Sequence, residues 1–165
     1  MSHRPPLTDI RILLATWFGS GYVSKAPGTV GSLMALPFGY FIADAFGAIG
    51  LLGSIVLVTI IGISVSNTYM AQADEHDPGP VVIDEVAGQW LALLPIAAML
   101  TWQGVFAAFV LFRIFDIFKP WPISWVDREV PGGLGVMLDD VLAGIAAAVC
   151  LYIIATMFPE FMGMA

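Results

Sequence analysis

Between Arg113 and Asp140 the chain reads RIFDIFKPWPISWVDREVPGGLGVMLDD, which holds three of its six basic residues and five of its thirteen acidic ones. Carboxylate oxygens suit hard divalent cations. Arg offers a planar fork for phosphate oxygens and Lys a point charge. The two residue types together suggest a metal ion and a phosphate. Arg113, Asp116 and Lys119 recur at intervals of three, which keeps them loosely on one side of a helix end, and Pro120 and Pro122 then stop the helix. They could form a chain of ion pairs. They could equally set two cations on a phosphate around a carboxylate that binds metal, orients the Arg, or acts as nucleophile or base. Asp127-Arg128-Glu129 follows, and then Pro131-Gly132-Gly133-Leu134-Gly135, a loop able to bend tightly and deliver Asp139-Asp140 to the start of a last helix.

Asp84-Glu85 repeats the device at the start of an earlier apolar helix. The helix dipole favours one carboxylate there, but two adjacent ones entering an apolar helix need more. Four converging carboxylates, Asp84, Glu85, Asp139 and Asp140, would repel one another unless a cation sat among them. Upstream, Asp74, Glu75, His76 and Asp77 read as a solvated loop. A fourth segment, Gly19-Ser20-Gly21-Tyr22 followed by Lys25-Ala26-Pro27-Gly28-Thr29-Val30-Gly31-Ser32, frees the backbone to approach a ligand. A helix starting near Thr29 or Ser32 would aim N–H groups at a phosphate. The same residues would also serve as ordinary helix caps. The segment lacks the Gly-Lys-Ser/Thr ending of a P-loop.

The elements that must position these groups are apolar. The chain has 165 residues, is 59% hydrophobic and only 12% charged, with a mean hydropathy of +0.89. Soluble domains carry about 25% charged residues, so the composition argues for a membrane protein. It is one domain, residues 1–165, with no repeat or linker. Six basic residues make no extended patch for nucleic acid. Cys150, the single cysteine, sits in an apolar run and reads as a buried, inert thiol. Residues 10–18 are too short for a signal peptide and follow Asp9, so they predict a short interfacial helix.

Charge-free gaps mark the helices. They predict helices over about 30–44 and 48–71, then two from one long gap split by Pro95 and a turn at Thr101-Trp102-Gln103-Gly104, roughly 85–100 and 104–118. A last helix covers about 139–158. The fold expected is all-α: a compact bundle of about five apolar, mostly membrane-embedded helices with a polar site at one end. If successive helices alternate in direction, almost every charge falls on one side, Asp44 and Glu160 excepted. All the basic residues lie on that side, which the positive-inside rule places in the cytoplasm. Trp102, Trp121 and Trp125 suit interface positions or ordinary packing.

With these residues in place, the chain resembles the phosphatidylglycerophosphatase A family of bacterial membrane lipid phosphatases. The segments that carry the resemblance are FGSGY from Phe18, PGTVGS from Pro27, IDEVAG from Ile83, FRIFDIFKPWPI from Phe112, WVDR from Trp125 and GGLGVMLDDVLAG from Gly132. They span nearly the whole chain in order. The resemblance implies an Mg²⁺-dependent hydrolase of the cytoplasmic (inner) membrane, multi-pass, with its site facing the cytoplasm. It implies removal of the terminal phosphate of phosphatidylglycerophosphate, giving phosphatidylglycerol and inorganic phosphate. It maps the metal ligands to Asp84, Glu85, Asp139 and Asp140, and the catalytic cluster to Arg113, Asp116, Lys119 and Asp127. Thr29, Ser32, Arg113 and Lys119 would bind the substrate phosphate. Water activation and direct attack, by Asp116 or Asp127, both fit. No protein partner is evident.

The chain has no Cys-based phosphatase loop and no Asp-x-Asp pair at a strand end. Three other readings compete: a phosphatase of another lipid phosphate such as phosphatidic acid, a small ion transporter using intramembrane acids, and a structural membrane protein whose charges cap helices. A transporter should hold its charges near the bilayer midplane, whereas these gather at helix ends.

Overall fold

The computed structural model describes residues 4–75 and 78–163, and within them every regular element is helical. The chain forms α1 (Ile10–Ala15), α2 (Pro27–Ala73), α3 (Ile83–Leu93), α4 (Trp102–Phe118), α5 (Ile123–Glu129) and α6 (Gly132–Met157), with single 3₁₀ turns at Ser20–Tyr22 and Leu94–Ile96. The all-α bundle expected from the charge gaps is therefore present.

α2 is two helices in one. Gly47 breaks it with φ 64° and ψ −167°, a backbone state that residues with a Cβ rarely adopt. The two halves, 27–46 and 48–73, are the first two expected helices. The chain reverses between them. The start of the first half packs on Glu85 at the head of α3, and the end of the second half meets the head of α6, where Asn67 Oδ1 accepts the Gly133 N–H at 2.7 Å.

Three boundaries differ from expectation. α3 stops at Leu93, short of residue 100, because Pro95 has no N–H to continue the ladder and the chain tightens into the 3₁₀ turn. The segment 102–104 is the first turn of α4 rather than a loop. Thr101 caps it by accepting the Gly104 N–H at 3.1 Å. α6 begins at Gly132, directly after Pro131, so its glycines form its first turn and Asp139-Asp140 lies two turns inside rather than at the start. The short α5, between Pro122 and Pro131, had no charge gap to announce it.

α3 is the central helix, packed against both α2 and α6. At its crossing with α6 the backbones nearly touch: a Cβ on Gly144 would come within 2.5 Å of the Gly88 carbonyl oxygen, and one on Gly88 within 2.7 Å of the Asp140 carbonyl oxygen. Small residues permit such close approach between apolar helices. Gly144→Ala should therefore push α6 off α3 at a cost of about 1–3 kcal/mol, read as a lowered Tm in detergent. An unchanged Tm would show that the seam has slack.

The outer faces are apolar. Phe41, Ile49, Ile60 and Val149 are exposed, over half of the side chain in each case. α2 and α6 are long and apolar enough to cross a membrane. A 26-residue helix such as α6 reaches about 39 Å, more than the roughly 30 Å hydrocarbon core. Side chains this apolar facing outward on so many sides fit contact with lipid.

Candidate active site

Asp84 and Glu85 occupy the first turn of α3. The Asp84 carboxylate folds back to accept the Glu85 N–H at 3.0 Å, which satisfies one of the donors that every helix start leaves free. Glu85 points the other way, into protein. Its Oε2 accepts from the Ser32 hydroxyl at 2.7 Å and from Arg113 Nη1. Gly28 leaves the space for this carboxylate, since a Cβ there would collide with it. The first turns of α2 and α3 are thus joined through Glu85. Arg113 Nη1 also pairs with Asp116 at 3.0 Å, one turn along α4, and lies 3.3 Å from the Ser32 hydroxyl.

The same local device recurs on α6. Asp139 Oδ1 accepts the Asp140 N–H at 3.0 Å, and the other Asp139 oxygen accepts from Lys119 at 2.6 Å. Lys119 also bonds to Asp127 of α5. Lys119 ends α4 in the left-handed region with φ 41°, a state more often given to glycine. It stands where α4, α5 and α6 meet, and its ammonium ties the three together. Burial disfavours that charge, but the two carboxylates outweigh burial and raise the Lys119 pKa above the ordinary lysine value.

These elements bring one oxygen each from Glu85, Asp116 and Asp140 within 4.8 Å of one another. Glu85 and Asp140 are buried. Asp140 Oδ2 is buried without any hydrogen-bond partner, and a buried carboxylate oxygen left bare is costly. The oxygen-only donor set and this orphaned oxygen fit a hard divalent cation. The buried acidic cluster could therefore bind a metal. A pocket of about 390 Å³ opens from the cluster and is lined by all four carboxylates of the two acidic pairs, by Asp116, Lys119, Asp127 and Arg128, and by Pro131, Gly132, Gly135 and Val136. That volume is in the range of small-ligand sites.

Most of the residues singled out in the sequence converge here. The expected metal ligands Asp84, Glu85, Asp139 and Asp140 line one pocket, but the trio whose oxygens gather within 4.8 Å includes Asp116 and leaves out Asp84 and Asp139. Asp139 instead faces Lys119. Arg113 and Ser32 hold Glu85 from behind and are not on the pocket wall, and Thr29, half-buried, is not on it either. The segment from Gly19 forms a 3₁₀ turn, where Gly21 lies against the Pro80 carbonyl rather than against the acidic cluster. His76 and Asp77 lie outside the described residues. Arg128 had no role of its own in the sequence reading beyond its place in the Asp127-Arg128-Glu129 group and the WVDR segment. Its signal was composition: in a chain with six basic residues, an arginine next to a site carboxylate is rarely idle.

The family model described as Phosphatidylglycerophosphatase A matches residues 13–155. An Escherichia coli protein named Phosphatidylglycerophosphatase A is 43% identical over 148 residues, covering 89% of this chain and 84% of that protein. A Haemophilus influenzae protein of the same name is 38% identical over 159 residues, covering 93% of this chain and 97% of its own length. A Bacteroides thetaiotaomicron protein that carries phosphatidylinositol-3-phosphatase in its name is 41% identical over 139 residues, covering 81% of this chain and 86% of its own. No solved structure matches the chain.

Proposed function

Because the chain belongs to the phosphatidylglycerophosphatase A family and is a phosphatidylglycerophosphate phosphatase, we propose that the pocket at the heads of α3 and α6 is where the terminal phosphomonoester is hydrolysed. The observation that carries this assignment is the buried Asp140 carboxylate, one oxygen of which has no partner, beside Glu85 and Asp116 on a pocket that Lys119 and Arg128 also line.

Glu85, Asp116 and Asp140 would hold Mg²⁺, with Asp84 and Asp139 close by on the wall. Bound there, the ion would withdraw charge from a phosphate oxygen and so favour attack at phosphorus. Everything else falls to the chain's own groups. Lys119 neutralises a second phosphate oxygen from the pocket wall, and electrostatic stabilisation of this kind is the main resource of phosphoryl-transfer catalysts. Arg113 and Ser32 keep Glu85 aimed into the cluster. Asp127 stands outside the trio at the partly exposed side of the pocket. There it can take the proton of an attacking water while the water oxygen bonds to phosphorus. The bond from phosphorus to the glycerol oxygen breaks and that oxygen takes up the proton held by Asp127, giving phosphatidylglycerol and inorganic phosphate and restoring the Asp127 carboxylate. This order predicts no trapped phosphoenzyme on rapid quench, and a trapped aspartyl phosphate would overturn it.

The chain would be a multi-pass protein of the bacterial cytoplasmic membrane with this pocket on the cytoplasmic side. Support comes from the basic residues around the pocket end: Arg113, Lys119 and Arg128 beside it, and Arg11 close to Gln72 through Asp9. The fatty-acyl tails would stay in the bilayer while the headgroup enters.

One experiment tests substrate, metal and side together. Inverted membrane vesicles carrying the chain should release phosphate from added phosphatidylglycerophosphate, faster than from phosphatidic acid or phosphatidylinositol 3-phosphate. Chelation of Mg²⁺ should stop release and Mg²⁺ should restore it, and right-side-out vesicles should stay silent. Full activity in excess chelator would sink the metal assignment. Preference for either other lipid would move the substrate. The phosphatidylinositol 3-phosphate arm is included because one relative's name refers to it.

A further inference from the structure

We propose that Arg128 binds the phosphodiester of the lipid, the phosphate that is not cleaved, so that the headgroup is gripped at two phosphates at once. The inference rests on the phosphatidylglycerophosphate reading above. The pocket is lined by six carboxylates and two cations. Lys119 is bonded to both Asp127 and Asp139. Arg128 makes no ion pair among the described residues, is exposed in the last turn of α5 and lines the same pocket. It is an uncommitted guanidinium at the wall of a strongly acidic cavity.

A substrate with one phosphate would need a cation only at the reacting end. The lipid hydrolysed here carries a phosphomonoester and, one glycerol away, a phosphodiester joined to diacylglycerol. The diester must stay near the bilayer surface while the monoester goes in. The trio of Glu85, Asp116 and Asp140, two of them buried, marks the inner end of the pocket, and the exposed last turn of α5 marks its open side. Arg128 therefore stands where the diester passes, and a guanidinium fork matches two of its oxygens. Contact with the unreactive part of the substrate makes Arg128 a binding and specificity residue, felt in KM and not in the chemical step.

The product keeps the diester and loses the monoester, which gives a clean test. In detergent micelles, Arg128→Ala should raise the KM for phosphatidylglycerophosphate about tenfold or more, the effect of losing charge-assisted hydrogen bonds, with kcat changed less than about twofold. Inhibition by added phosphatidylglycerol should weaken by a similar factor, inhibition by inorganic phosphate should not move, and Arg128→Lys should recover part of the loss. If inhibition by inorganic phosphate weakens as much as inhibition by phosphatidylglycerol, Arg128 serves the cleaved group and the proposal is wrong. Equal KM values for variant and wild type overturn it too. A wild-type protein that does not hydrolyse phosphatidylglycerophosphate would instead remove the parent reading, and the inhibition arms would not arise.

Discussion

Replacing Asp140 by Asn should abolish phosphate release, a loss of roughly a thousandfold or more, while the protein stays folded in the membrane. The side chain keeps its shape, and its backbone N–H still bonds to Asp139. What disappears is the negative charge on the oxygen that no protein donor satisfies. This gives the variant a second signature. In wild type, Mg²⁺ should raise the Tm, because a ligand that binds the folded state stabilises it by mass action. In the variant that rise should vanish. In excess chelator the variant should melt at or above the wild-type temperature, since an uncompensated buried charge has been removed. Activity within tenfold of wild type, or an Mg²⁺-induced rise in Tm as large as wild type's, would show that Asp140 is not part of a metal site.

Arg113→Ala should be damaging for a different reason. Arg113 is largely buried, and its Nη1 serves Glu85, Asp116 and the Ser32 hydroxyl together. In excess chelator, removing it leaves two carboxylates facing each other without a counter-charge. Breaking a buried ion pair from one side costs roughly 3–5 kcal/mol, so the Tm should fall steeply and activity with it. The double variant Arg113→Ala/Glu85→Ala separates the two losses. It no longer buries an unpaired Glu85, so it should regain part of the stability, and it should remain inactive. A double variant no more stable than Arg113→Ala would mean that the arginine's packing, not its charge, holds this corner. An active one would mean that Glu85 is dispensable.

Much of this was legible in the sequence because the chain is poor in charge. In an apolar protein each ionised group must be tied to water, a partner or a ligand, so gaps between charges outlined the helices and clusters of charge outlined the site. Asp84-Glu85 and Asp139-Asp140 stood out as a repeated pair, and the structure brings both to one pocket. Partner choice was not legible. Whether Asp139 meets a cation or Lys119 depends on how the end of α4 is aimed, which a left-handed Lys119 decides and no spacing rule anticipates. Arg113 looked like a phosphate ligand because of its type, whereas its depth behind Glu85 is a matter of helix packing. The first turn of α6 was misjudged for a related reason. Pro131 and a run of glycines usually signal a loop, but here the glycines begin a helix, with Gly133 lying against the Ile63 carbonyl of α2. α5 was invisible because a seven-residue helix between two prolines carries almost no periodic signal.

The contributions to the pocket come from α3, α4, α5 and α6, and α6 is the last helix in the chain. During synthesis Asp84, Glu85, Arg113 and Asp116 therefore reach the membrane before Asp139 and Asp140 do. Within the early set Arg113 already pairs with both Glu85 and Asp116. Lys119 can wait on Asp127, only eight residues ahead. A nascent chain can thus stand in the bilayer with Arg113 and Lys119 already paired, and the acidic cluster is completed only when the final helix docks.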